Sequence, residues 1–162
     1  MTYEDDIEAR RARIISEMVE KTGITEEMIE RLVRHFYGKV RQDPLIGPVF
    51  ESRIADWEPH LQKMFAFWSS VVLMSGRYRG QPAQVHMPLP VEAAHFDRWL
   101  ALFDESTGEV CPPEAAAVFM DRARRIAASL EMAVAVHNGE MPVKGERYHN
   151  PALFTEAKPA AQ

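Results

Sequence analysis

Four separated clusters of side chains have types and spacing suited to chemistry: Phe36-Tyr37, His60 with Trp68 eight residues on, His86 in a proline-studded loop, and Trp99 on a helical stripe. His86 can offer a neutral imidazole nitrogen to a metal. Tyr37, His60 and Trp99 offer hydroxyl, imidazole and indole donors from three other segments. Such a set suits a metal centre whose open position holds a polar ligand inside an apolar slot.

Each residue also has a plainer reading. An isolated loop histidine is ordinarily solvated, and a tyrosine, tryptophan or histidine on an apolar stripe ordinarily fills core. The context weighs against that here. His86 stands between Pro82 and Pro88 in Gln-Pro-Ala-Gln-Val-His-Met-Pro-Leu-Pro, directly before an apolar helix. A stiff loop of this kind can hold an imidazole edge-on to a metal, with its other nitrogen fixed by a carbonyl. Three donors converging on apolar faces each cost ~1–3 kcal/mol if left unpaired. A polar ligand in their midst removes that cost.

The elements that must position these residues are helical. Six helical segments and no convincing strand can be read. Tyr3 to Lys21 places Ile7, Ile14, Ile15, Met18 and Val19 at helical spacing; Arg11 interrupts the stripe, so the first turns should pack loosely. Thr25 caps a helix carrying Ile29, Leu32, Val33, Phe36, Tyr37 and Val40, which stops before Asp43-Pro44. Leu45 to Phe50 allows only a short turn. A helix from about Asp56 to Ser75, ended by Gly76, puts His60, Met64, Phe67, Trp68 and Val71 on one stripe. Arg77 to Pro90 reads as a structured loop, with at most one helical turn from Pro82 to His86. Glu92 to Ser106 presents Phe96, Trp99, Leu100 and Phe103, and Pro112-Pro113 opens a last long helix to His137. The residues beyond carry proline, glycine and little periodicity, and read as a mobile tail.

With 162 residues the chain suits one main domain, and its net charge of −5 argues against nucleic acid or an anionic membrane as partner. No run of about 18 apolar residues is present to span a bilayer. The Met1-Thr-Tyr-Glu-Asp-Asp start lacks the features of a secretory signal, so a cytoplasmic location is expected. One cysteine, Cys111, can form neither an internal disulfide nor a thiol-based metal cluster. No paired-carboxylate site, phosphate loop or nucleophile elbow is evident. His35, His95, His137 and His149 lack a convergent context. On residues alone, a cofactor-free helical interaction module stays open.

The strings Phe-Tyr-Gly-Lys-Val, Asp-Pro-Leu-Ile-Gly-Pro-Val-Phe, Trp-Glu-Pro-His, Phe-Trp, Tyr-Arg-Gly-Gln-Pro-Ala-Gln-Val-His and His-Phe-Asp-Arg-Trp-Leu-Ala-Leu-Phe occur in that order from Ile24 to Val136. Together they resemble the group III truncated haemoglobins. The glycine pairs of the other truncated groups are missing, as that group requires. The resemblance implies an all-α, two-over-two helical sandwich at residues 24–137, preceded by an extra helix at 1–23 and followed by a tail at 138–162. It also implies one haem b.

Carried across residue by residue, His86 becomes the axial iron ligand, and Tyr37, His60 and Trp99 become the ligand-stabilising distal residues. Met64, Phe67, Trp68 and Tyr78 become haem contacts. Lys63 and Arg77 are the basic candidates for the propionates, with Arg79 a rival. The ligands implied are dioxygen, nitric oxide, carbon monoxide or peroxide. A donor-rich pocket suits tight retention or reactive chemistry better than oxygen delivery. Nitric oxide dioxygenation or peroxide reduction then needs an external reductase, since no flavin or nicotinamide motif is present. A haem-based gas sensor is the alternative within the same resemblance.

Overall fold

The computed structural model describes residues 2–156 and forms eight helices: α1 Tyr3–Thr22, α2 Glu26–Gln42, α3 Gly47–Arg53, α4 Trp57–Leu73, α5 Pro82–His86, α6 Ala93–Val110, α7 Pro113–His137 and α8 Pro151–Glu156. No strand occurs among the described residues. The helix over 56–75 is shorter than its apolar stripe suggests, because Met74 takes the left-handed conformation at φ 54° before Gly76 is reached. Conversely, α6 runs past Ser106. The hydroxyls of Ser106 and Thr107 bond back to the carbonyls of Leu102 and Asp104, so neither breaks the helix.

Four long helices form two layers. α2 packs on α4, α6 packs on α7, and the pairs meet as α2 on α6 and α4 on α7. Phe36, Phe65, Phe103 and Phe119 are fully buried where they meet. The Phe103 ring is central: it stacks on Trp68 at 4.9 Å and on Trp99 at 5.5 Å, and meets Phe36 edge-on at 5.1 Å. These aromatic pairs hold two of the candidate site residues from behind.

The ends of the helices are fixed by a few polar groups. Thr25 Oγ1 accepts from Met28 N at 3.2 Å and starts α2. Asp43 ends it, accepting from the backbone N–H of Leu45 and Ile46 and from Arg98 on α6 at 2.6 Å. Burial alone would raise the Asp43 pKa, but these hydrogen bonds outweigh it and hold the carboxyl below its ordinary value. Gly47 lets α3 lie against α2, since a Cβ there would sit 2.9 Å from the Val40 carbonyl.

Residues after His137 carry an expectation of mobility, yet residues 147–150 dock on α6 and α7. The Tyr148 carbonyl accepts from Ala93 N at 2.8 Å, satisfying an orphan donor of the α6 N-terminus. Arg147 bridges Asp97 at 2.7 Å and Glu131 at 2.8 Å, and the Tyr148 ring is buried. These partners lie far away in sequence, so no local pattern announces them. The expected looseness at the other end is present: every α1 residue from Tyr3 to Ile14 is exposed. No helix among the described residues is long and apolar enough to cross a membrane.

Candidate functional site

A cavity of about 450 Å³ opens between the helical layers, within the size range of small-molecule and cofactor sites. α2 contributes Tyr37, and α4 contributes His60, Lys63, Met64, Phe67 and Trp68. Trp99 enters from α6, His86 from α5, and Tyr78 from the loop between α4 and α5. Nine of the ten residues singled out in the sequence therefore share one cavity. The helical spacing of His60, Met64, Phe67 and Trp68 (one per turn or nearly so) aligns them along a single wall.

Arg77 is the exception. Its guanidinium is held by Glu26 at the start of α2, at 2.6 Å, and it does not line the cavity. An acid in the first turn of a helix is a good partner for a loop arginine, and no sequence spacing ties the two together. Arg53 and His95 do line the cavity, and sequence reading missed both. For His95 a signal existed: it directly precedes Phe96 and lies one turn before Trp99, so it shares their face. Arg53 ends a short irregular helix whose pattern gives no such clue.

His86 is oriented by its own helix turn. Its Nδ1 bonds the Pro82 carbonyl at 2.6 Å, which makes Nδ1 the donor and leaves Nε2 an unprotonated acceptor for a metal. Pro82 is at the first position of α5, so the residue that stiffens the turn also supplies the acceptor carbonyl. His60 carries the complementary feature. Its Nε2 is buried with no partner among the described residues. Burial first, then the charges of Lys63 and His86, lower its pKa, so it is neutral at pH 7. That His86 acts on it electrostatically agrees with the two imidazoles sharing one cavity.

Tyr37 completes the polar set. The residue is 5% exposed, its ring meets His60 edge-on at 5.4 Å, and its hydroxyl has no hydrogen-bond partner among the described residues. Burial raises its pKa, so it remains a neutral O–H donor. The Trp99 indole N–H is likewise without a partner among the described residues, while its ring is clamped between Phe36 and Phe103. Tyr78 meets Phe67 edge-on at 5.3 Å, and the absence of a side chain at Gly80 gives its hydroxyl room.

Residues 17–136 match the family described as bacterial-like globin. The chain belongs to this family, as a group III truncated haemoglobin. It is 37% identical over 113 residues to the group 3 truncated hemoglobin ctb of Campylobacter jejuni, covering 67% of this chain and 89% of that one. The crystal structure of the group III truncated hemoglobin from Campylobacter jejuni superposes with a TM-score of 0.65 at 36% identity, over 68% of this chain and 91% of that one. The hemoglobin of the thermophilic phototroph Chloroflexus aurantiacus gives 0.58 at 25% identity, over 70% and 95%.

Globin membership implies haem, and the cavity of this truncated haemoglobin fits one. It has an oriented imidazole acceptor, an orphaned buried imidazole, mostly apolar walls, and the cations Lys63 and Arg53 in its lining, which would pair with propionates. The carbonyl-fixed His86 would hold the iron.

Proposed function

We propose that this truncated haemoglobin holds haem b through His86 and retains dioxygen and related diatomic ligands tightly, serving reactive chemistry rather than oxygen delivery. When bound, the haem supplies reversible coordination of such gases and one-electron chemistry. The observation that carries the reading is that Tyr37, His60 and Trp99 line one cavity with no protein partner for the phenol, the buried His60 Nε2 or the indole among the described residues. Leaving the buried His60 Nε2 unpaired costs ~1–3 kcal/mol, which a polar ligand in the cavity offsets.

The residues divide the work. The Pro82 carbonyl keeps His86 in the tautomer that presents Nε2 as a ligand. Tyr37 and Trp99 would donate to a gaseous ligand in the cavity from rings that their neighbours hold rigid, so little reorganisation would be needed. His60, edge-on to Tyr37, adds a donor when its Nε2 carries the proton. Lys63 on α4 and Arg53 on α3 would pair with the propionates.

This arrangement favours conversion of nitric oxide and dioxygen to nitrate, or reduction of peroxide, with electrons from a separate cytoplasmic reductase. The test is single-turnover mixing of the oxygenated protein with nitric oxide. Stoichiometric nitrate formed much faster than dioxygen escapes supports the reading. Release of dioxygen before any nitrate appears contradicts it.

A further inference from the structure

The first three turns of α1 stand apart from the globin. Residues 3–14 are all exposed, and the helix becomes partly covered only from Ile15 onward. Twelve residues at 1.5 Å each make a free helix of about 18 Å. Isolated helices of roughly 12–15 residues or fewer are marginal in water, and the capping box of Thr2 and Asp5 offsets only part of that deficit. Tyr3, Ile7 and Ile14 are nevertheless 81%, 48% and 45% exposed along one stripe. At 3.6 residues per turn, that stripe is rotated by about 100° from Ile15, Met18, Val19 and Thr22, which face the globin. The helix thus has a second face, apolar apart from Arg10, with nothing on it among the described residues.

The charges flanking this face identify the occupant. Glu4 and Arg11 lie along one side of the stripe, and Asp6 and Arg13 along the other. None of the four forms an ion pair among the described residues. We propose that α1 docks antiparallel on α1 of a second copy of this chain. In that register Tyr3 meets Ile14 of the second copy, and Ile7 meets its Arg10, whose stem covers the isoleucine while the guanidinium reaches solvent. Glu4 then faces Arg11 of the second copy, and Asp6 faces its Arg13. Two-fold symmetry repeats each contact, giving four ion pairs around the seam. A parallel pair would instead set Arg10 against Arg10 and Glu17 against Glu17. The antiparallel overlap ends at residue 14, where each globin begins, so the two bodies lie beyond opposite ends of the paired helices.

An interface this short lies at the small end of specific contacts, below about 1,200 Å² in total. The dimer is therefore concentration-dependent, and salt weakens it. Sedimentation velocity of the full haem-loaded chain across the micromolar range tests the proposal. The wild type should pass from monomer to dimer, and Ile7→Asp should remain monomeric. Arg13→Glu turns two symmetric attractions into repulsions and should weaken the dimer about tenfold. The double reversal Asp6→Arg with Arg13→Glu should restore it. The haem absorption spectrum should be unchanged throughout, separating loss of association from loss of the globin. A wild type monomeric at every concentration overturns the proposal, as does a dimer indifferent to Ile7→Asp and Arg13→Glu. A double reversal no stronger than Arg13→Glu alone overturns the antiparallel register.

Discussion

Tyr37→Phe removes one oxygen atom from the cavity and nothing else. The ring is fixed by Phe36 at 5.0 Å, Phe50 at 5.7 Å and His60 at 5.4 Å, and phenylalanine keeps all of these contacts. The hydroxyl has no protein partner among the described residues, so the substitution breaks no internal hydrogen bond. Its effect on folding should therefore be near neutral. Ligand release should respond strongly. A hydrogen bond to a partly charged acceptor contributes ~1.5–3 kcal/mol, so its loss speeds dioxygen dissociation roughly 10- to 150-fold. Carbon monoxide accumulates far less charge and should leave at nearly the wild-type rate. Stopped-flow release of the two gases, with a thermal melt beside it, measures all three quantities. Parallel changes for the two gases, no change for either, or a clear loss of stability would rule out a hydrogen bond from Tyr37 to dioxygen.

Trp99→Phe should show the same selectivity for dioxygen, read by the same stopped-flow pair, with some added instability because the smaller ring stacks less fully on Phe103. Burial lowers the His60 pKa from its ordinary 6.5, so below that pH the unfolded chain binds the extra proton first and stability falls. Thermal melts at pH 7.5 and about 5.5 should show a larger acid loss for the wild type than for His60→Leu; equal losses would exclude His60 as the source. Arg147→Ala should release residues 147–150 from α6 and α7. Because the guanidinium is half-exposed, the loss should be only about 1 kcal/mol, or roughly 2–4 °C in melting temperature, with haem binding unchanged.

What the sequence discloses depends on how local the cause is. The stripes through Val33-Phe36-Tyr37-Val40 and His60-Met64-Phe67-Trp68 follow from helical periodicity, and both face the cavity or core as that periodicity requires. The orientation of His86 was also legible, because Pro82 and His86 are one turn apart and the carbonyl that fixes the ring belongs to the same turn. Contacts between distant segments were not. Arg77 was a candidate propionate partner only through the family resemblance, and the ion pair it makes is with Glu26, 51 residues away. Arg147 finds Asp97 across 50 residues, which turns a segment without periodicity into a docked one. Helix ends fell between these cases: Met74 adopts the left-handed turn that Gly76 was better suited to supply.

Haem ligation by His86 is the claim on which the rest depends. Its direct measurement is the absorption spectrum of purified His86→Gly, oxidised, reduced and with carbon monoxide, before and after imidazole is added. The variant should lose haem or hold it only weakly, and imidazole should restore both retention and the ferrous spectrum. Normal haem content with an unchanged ferrous spectrum in the variant would contradict it.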